Sequence, residues 1–265
     1  MIYYKNTNPD TSRDFILKEP ENTEFVGQNI YYYDVIDSTN NEAKLHYDCP
    51  EGSIFIADTQ TNGRGRKGRS WISDSDSLCF SVLLKPEIAP EKVFQITLVV
   101  GLAVSMCIPG SFIKWPNDIV SGNKKLAGIL TEMSTSDGLV NFVVAGIGIN
   151  VNARSFPEEI SDIATSLYIQ TGKKYSVEKL LADICYEIEY WYKIFVSEGF
   201  SACVEEYSKR CITINREVKI INANSSYNGK ALGLNENGEL IVLTDNGKTN
   251  VLSGEVSVRG LFGYA

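Results

Sequence analysis

Gly63-Arg64-Gly65-Arg66-Lys67-Gly68-Arg69-Ser70-Trp71 is the stretch on which the reading of the fold turns. Its glycines satisfy G-x-G-x-x-G, the spacing with which a doubly wound α/β fold brings a pyrophosphate to a helix N-terminus. That motif must open a helix, yet here Ser73-Asp74-Ser75-Asp76-Ser77 follows and then a β-like run. The intervening positions carry Arg64, Arg66 and Lys67, whereas that fold presents bare backbone to the phosphates. The dinucleotide reading is therefore rejected. What remains is a flexible loop that can close over an anion. Arginine forks grip phosphate or carboxylate oxygens two at a time, and glycines let the backbone come near. A solvated basic loop is the plain alternative.

Working outward, residues 30–36 read as a strand, and Asp37-Ser38-Thr39-Asn40 opens a helix whose start matches a capping box, Thr39-x-x-Glu42. Residues 53–57 and 78–84 read as strands on either side of the loop, the second ended by Pro86. A buried helix over 93–107 stops at Pro109-Gly110, and short strands follow at 112–115, 126–132 and 140–147. From Ser176, the positions Val177, Leu180, Leu181, Ile184, Ile188, Trp191, Tyr192 and Phe195 keep helical spacing, closed near Gly199. Asn228-Gly229, Asn237-Gly238 and Asn246-Gly247 recur nine residues apart between strand-like runs. Asn-Gly favours tight hairpins because both residues tolerate positive φ, so three hairpin turns and a small all-β unit starting near Thr213 are expected. The fold class is α+β, with residues 1–28 as an N-terminal arm, a first domain to residue 212 and a second over 213–265.

Composition narrows the function. The chain has 265 residues, 43% hydrophobic and 11% aromatic, as suits a globular protein with a sizeable core. Its net charge of −8 argues against a duplex-DNA partner, because phosphate neutralisation drives that affinity. The longest apolar stretch, 93–108, is interrupted by Gln95, Thr97, Gly101 and Ser105, so it reads as a core helix and no membrane partner is expected. Residues 1–14 lack the basic cluster and apolar core of a signal peptide, and a cytoplasmic location follows as the expectation. The six cysteines show no C-x-x-C pair and His46 is the single histidine, which removes zinc and Ser–His or Cys–His chemistry from consideration.

Two further motifs stand beside the loop. In Lys114-Trp115-Pro116-Asn117-Asp118, Trp-Pro ends a strand and Asn-Asp turns at its tip; such a turn taken alone is ordinarily structural. Lys125-Leu126-Ala127-Gly128-Ile129-Leu130 places a lysine that can project into a pocket floor ahead of a glycine that leaves room for a ligand. In Ala145-Gly146-Ile147-Gly148-Ile149-Asn150, two strand glycines mark either tight strand packing or the close approach of a ligand.

In this order, with Gln60 ahead of the loop and Gly254-Glu255-Val256-Ser257-Val258-Arg259 near the end, these motifs resemble the catalytic domain of biotin–protein ligases over roughly residues 30–259. The resemblance implies a mixed β-sheet with packed helices followed by a small C-terminal antiparallel β-barrel. It implies an ATP-dependent ligase that makes biotinyl-adenylate and passes biotin to a lysine of a biotin carboxyl carrier protein. Ser38, Thr39, Asn40 and Gln60 would hold the biotin head; Arg64, Gly65 and Arg66 would wrap the carboxylate and α-phosphate; Lys125 would sit between them. Arg64, Arg66 and Lys125 would thus be catalytic. Trp71, Asn117, Asp118 and Asn150 are candidate nucleotide contacts, with Mg2+ arriving on ATP near Asp118 and no fixed protein metal site. Asp118 is one candidate to take the acceptor amine's proton, and the sequence does not decide it.

The chain carries only about 28 residues ahead of the first motif, short of a winged helix, so a form lacking the family's N-terminal DNA-binding domain is expected. The nearest rival is a lipoate or octanoate ligase, against which the arginine–glycine loop followed by Trp-Pro-Asn-Asp argues. A rival of another class is a nucleic-acid-binding module using the basic loop, opposed by the acidic balance of the chain. A homodimer through an exposed sheet edge is compatible with the sequence, but no feature supports it.

Overall fold

A computed structural model of the protein describes residues 2–5, 20–73, 76–222, 225–253 and 257–260. Most of the expected arm, Asp74-Ser75 and the closing Gly254-Glu255-Val256 lie outside the described residues. The elements run β1 (Ile2–Lys5), β2 (Ile30–Ile36), α1 (Thr39–Leu45), β3 (Ile54–Gln60), β4 (Ser77–Leu84), α2 (Val93–Cys107), β5 (Phe112–Lys114), β6 (Asp118–Ser121), β7 (Lys124–Ser136) and β8 (Leu139–Asn150). They continue with α3 (Glu158–Ser161), α4 (Leu167–Thr171), α5 (Val177–Glu198), α6 (Val204–Arg210), β9 (Glu217–Ile221), β10 (Ser226–Leu234), β11 (Leu240–Thr244), β12 (Gly247–Val251) and β13 (Ser257–Gly260). The large sheet has the order β1-β2-β3-β4-β8-β7-β6-β5, parallel among β1, β2 and β3 and antiparallel beyond. A second, antiparallel sheet has the order β12-β11-β10-β9-β13. These are the mixed sheet and the small C-terminal β unit of the α+β fold.

Strand alternation divides the large sheet into a dry face and a site-bearing face. On one face Leu78, Phe80, Val82 and Leu84 of β4, Ala145, Ile147 and Ile149 of β8, and Ala127 and Ile129 of β7 enter the main core with α2 and α5. Each of the large aliphatic or aromatic side chains contributes roughly 1.5–3 kcal/mol by leaving water. The intervening residues, among them Ser81, Gly128, Leu130, Gly146 and Gly148, point to the other face, where α1 lies. A smaller cluster there joins Ala43 to Tyr33, Phe55, Ala57, Leu83, Phe142 and Val144.

The strand over 30–36, the helix over 93–107 and the long amphipathic helix form where the pattern predicts them. Ser176 caps that last helix by accepting from Lys179 N, and Gly199 ends it at φ 80°. With its preceding turn, Pro90–Cys107 reaches 18 residues at a mean hydropathy of 1.3, enough by length and composition for a bilayer. Two thirds of the segment is nevertheless buried inside the protein, packed against α5 and the sheet. Strand β6 was not foreseen, and β7 and β8 run longer than expected as a continuous hairpin.

Two expectations are corrected. The capping box does not form: Ser38 occupies the N-cap without a side-chain cap, Thr39 is already helical, and Glu42 instead accepts from the Tyr33 hydroxyl at 2.8 Å. Asn228-Gly229 is not a turn but lies inside β10, where Gly229 pairs with Val218. A Cβ at Gly229 would come within 2.5 Å of Val242 Cγ1 and 2.6 Å of Leu243 O, so the glycine serves close packing. Asn237-Gly238 does lie in a turn and also docks the small sheet, whereas the third turn is Asp245-Asn246, with Gly247 already opening β12 opposite Thr244. Gln95 Nε2 donates to Asn237 O at 3.0 Å and Trp115 Nε1 donates to Gly238 O at 3.1 Å.

Glu189 of α5 fastens the segment leading into β2. The residue is 5% exposed, and its carboxylate accepts from the backbone N–H groups of Glu24, Phe25 and Val26 at 2.9–3.0 Å and from Lys193 at 2.9 Å. Burial alone would raise its pKa, but these donors together hold it below the ordinary carboxylate range. A depressed folded-state pKa means the clasp stabilises the fold above the unfolded value, about 4.3, and is lost as pH falls through the folded one. Glu189→Gln is expected to destabilise the protein by about 1–3 kcal/mol at pH 7. Denaturant unfolding should show this gap from the parent protein shrinking as the pH is taken below about 4.

Candidate active site

Two strand residues without side chains make the site. Gly146 and Gly148 of β8 both face the α1 side, and each space is filled by a side chain arriving from elsewhere. A Cβ at Gly146 would collide with Asn40 of α1, and one at Gly148 with the indole of Trp71. The cross-strand partners of these glycines are Leu130 and Gly128 of β7. Two residues of strand, about 7 Å, therefore separate an Asn40 level from a Trp71 level. The cavity between them is lined by Ser38, Thr39, Gln60, Arg66, Asn117 and Lys125, among others, and encloses about 50 Å³. That is room for a few water molecules, so anything larger enters only as the side chains roofing it shift.

At the Asn40 level neutral groups bond to one another, with the charged Glu132 behind them. Gln60 Oε1 accepts from Thr39 N at 2.9 Å and from Thr39 Oγ1 at 3.2 Å. This fixes the amide, whose Nε2 finds no acceptor among the described residues. Ser81 Oγ lies 2.8 Å from Thr39 Oγ1 and 2.6 Å from Asn40 Oδ1. Because a carbonyl oxygen only accepts, the Ser81 hydrogen goes to Asn40, so the Thr39 hydrogen bridges the two hydroxyls and is shared with the more distant Gln60 Oε1. Asn40 Nδ2 in turn donates to Leu130 O at 3.2 Å and to Glu132 Oε2 at 2.7 Å.

At the Trp71 level the groups are charged. Lys125 Nζ pairs with Asp118 Oδ1 at 2.6 Å and lies 5.5 Å from the centre of the Trp71 ring. Its Nζ also stands 3.1 Å from where a Cβ on Gly128 would be, so that glycine makes room for the lysine. Arg66 Nη1 donates to Asn117 Oδ1 at 2.7 Å, while Arg66 Nη2 donates to Ser253 O of the C-terminal unit. Burial pulls the Arg66 guanidinium below its usual pKa and Asp118 opposes that pull. The indole N–H of Trp71 is buried without an acceptor among the described residues, a donor that a ligand oxygen would satisfy.

The loop itself is a tight hairpin. Gly65 N donates to Arg69 O at 2.7 Å and Trp71 N to Gly63 O at 2.9 Å, with Lys67 and Gly68 at the tip in left-handed conformation. The two of its arginines that line the cavity part company. Arg66 joins Asn117, whereas Arg64 Nη2 donates to Asn41 Oδ1 at 2.6 Å and to Glu132 Oε2 at 3.2 Å, beside α1. Gly65 lines the cavity between them. Asn150 is not brought in: it is buried, its Nδ2 donates to Thr165 O at 3.0 Å, and it does not line the cavity. Among the described residues no three His, Cys, Asp or Glu side chains converge to hold a metal ion. Ser81 and Glu132 are the residues that sequence reasoning missed. The available signal was alternation: Ser81 is polar opposite Gly146, and Glu132 lies on the same face of β7 as Gly128.

Residues 32–150 match the Biotin/lipoate A/B protein ligase family, and residues 213–259 match the Biotin protein ligase C terminal domain. The bifunctional ligase/repressor BirA of Bacillus spizizenii is 36% identical over 89% of this chain and 76% of its own length. The biotin–[acetyl-CoA-carboxylase] ligase of Mycobacterium tuberculosis is 30% identical over 78% of this chain and 79% of its own. Among solved structures, the biotin protein ligase from Aquifex aeolicus in complex with biotin and ATP superposes with a TM-score of 0.78 at 36% identity, covering 88% of this chain and 99% of that one. The chain belongs to the biotin/lipoate protein ligase family, and within it to the biotin protein ligases.

The glycine floor makes a direct prediction. Gly148→Ala should drive Trp71 out of its seat over β8, seen as a shift in tryptophan emission that vanishes in a Trp71→Phe background. Overpacking is expected to destabilise the protein by about 1–3 kcal/mol in denaturant unfolding.

Proposed function

We propose that this chain activates biotin with ATP and transfers it to a lysine of a biotin carboxyl carrier protein. The observation that carries this reading is the division of one cavity into a neutral, hydrogen-bonding level around Thr39 and Gln60 and a cationic level around Arg66 and Lys125. The ureido head of biotin suits the first, with Gln60 Nε2 and the Ser38 hydroxyl available to it, and its carboxylate suits the second.

In the first step the carboxylate oxygen attacks the α-phosphorus of ATP. A mixed anhydride forms and the bond to the leaving pyrophosphate breaks. Two anions must meet, so the protein's contribution is charge neutralisation and alignment. Lys125 is assigned between carboxylate and phosphate, held there by Asp118. Arg66 is assigned to the phosphate, with Asn117 orienting its fork. Trp71 would close the site against water and offer its free N–H to a ligand oxygen. Magnesium would come bound to the phosphates of ATP and reduce their charge, with Asp118 as a hard oxygen donor beside them. In the second step the acceptor lysine's amine attacks the acyl carbon and AMP leaves. Arg64 serves the head side of the loop in this reading, and Asn150 braces the segment at Thr165.

This assigns the chemistry to residues 1–212, with the unit over 213–265 bracing Arg66 through Ser253. A cytoplasmic setting is supported by the six cysteines, all of them free thiols.

The deciding experiment is ATP–pyrophosphate exchange with biotin, lipoate and octanoate in parallel. Exchange is expected with biotin alone. Exchange driven by lipoate or octanoate would assign the chain to the sister activity, and no exchange from folded protein with magnesium present would overturn adenylation. Lys125→Ala should lower the biotin-dependent rate by roughly 10²–10³-fold with an unchanged unfolding midpoint. A rate within a few-fold of the parent would mean that Lys125 is structural.

A further inference from the structure

Glu132 has no part in the chemistry described above, yet three separate pieces of the site meet on it. Alternation along β7 puts Gly128, Leu130 and Glu132 on the same face, so the carboxylate ends the row that forms the pocket wall. Glu132 Oε2 accepts from Asn40 Nδ2 at 2.7 Å and from Arg64 Nη2 at 3.2 Å, and Oε1 accepts from Lys44 Nζ at 3.0 Å. Helix α1, the arginine–glycine loop and β7 are thus joined through one side chain. The same Arg64 nitrogen donates to Asn41 Oδ1 at 2.6 Å, which gives the loop a second hold on α1.

We infer that Glu132 is a positioning residue for the biotin site, latching Arg64 and the Asn40 amide to the sheet so that the loop is held over the head end of the pocket. The inference rests on the biotin-activating reading for what the pocket takes, but the latch itself does not. Burial would push the Glu132 carboxyl upward, yet the hydrogen bonds from Asn40 and Lys44 and the charges of Lys44 and Arg64 outweigh it and keep the group an anion. The side chains of Arg64 and Glu132 are 37% and 25% exposed, so their pairing is screened and is expected to shift loop closure by up to about fivefold. Asn40 sits at the Gly146 level, one strand repeat from Trp71 and Lys125. The effect should therefore fall on biotin rather than on ATP.

Glu132→Gln separates the charge from the hydrogen bond, since the amide oxygen still accepts from Asn40. In pyrophosphate exchange the variant should show a biotin KM raised about three- to fivefold at low salt, with kcat and the KM for ATP within about twofold of the parent. The parent's biotin KM should climb with added NaCl toward that of the variant, whose own value stays flat. In ligand-free protein, tryptic cleavage within residues 64–69 should be about three- to fivefold faster in the variant, because it follows the population of the open loop. An unchanged cleavage rate overturns the latch whatever the activity proves to be. Faster cleavage with no biotin-dependent exchange from the parent protein would uphold the latch and remove the activity reading instead. Equal rises in both KM values with a lowered unfolding midpoint would mean that Glu132 supports the fold and nothing more specific.

Discussion

For the pocket to exist, two positions in the middle of β8 must be without side chains. Gly146 and Gly148 lie in a strand whose opposite face is packed into the main core, so the backbone there cannot retreat to make space. Asn40 and Trp71 come down onto that backbone from different elements, one from a helix and one from the loop. Their seats fix how far apart a neutral recognition surface and a cationic one stand. Ser81 orients Asn40 from below, Asn117 orients Arg66, and Asp118 holds Lys125. Each of these positions is useful only because the glycine floor places the groups it supports.

Charge is distributed with the same economy. The chain is acidic overall, and three cations of the site are each held by partners of their own. Arg64 goes to Glu132, Arg66 to the neutral acceptors Asn117 and Ser253, and Lys125 to Asp118. The carbonyl oxygens of Asn117 and Ser253 fix the Arg66 fork, and a guanidinium so oriented is suited to meeting a phosphate.

What the sequence made legible was whatever rests on local periodicity. The strand over 30–36 and the helices over 93–107 and 177–198 announce themselves because each buries one face or all faces at the spacing of its element. Lys125, Gln60 and Trp71 were found through motifs, and the fold brings them to one cavity. The misses share a different cause. Thr39 has the residue type and spacing of a cap, but its hydroxyl is drawn to Gln60 and Ser81, partners distant in the chain. Asn228-Gly229 has the composition of a turn, but Val242 and Leu243 press against it from a strand that local sequence does not reveal. Glu132 and Ser81 declare nothing by themselves, since their importance lies in what α1 and the loop bring to them.

The glycine floor also sets the direction in which this pocket can change. A binding site is usually enlarged by trimming the residues beneath the ligand, and at Gly146 and Gly148 nothing is left to trim. Any line of descent, or any redesign, toward a bulkier acid has to remodel the roof: the loop, Trp71 and the start of α1. The floor is spent as a source of variation, and the inventiveness of the scaffold has been moved into the residues that cover it.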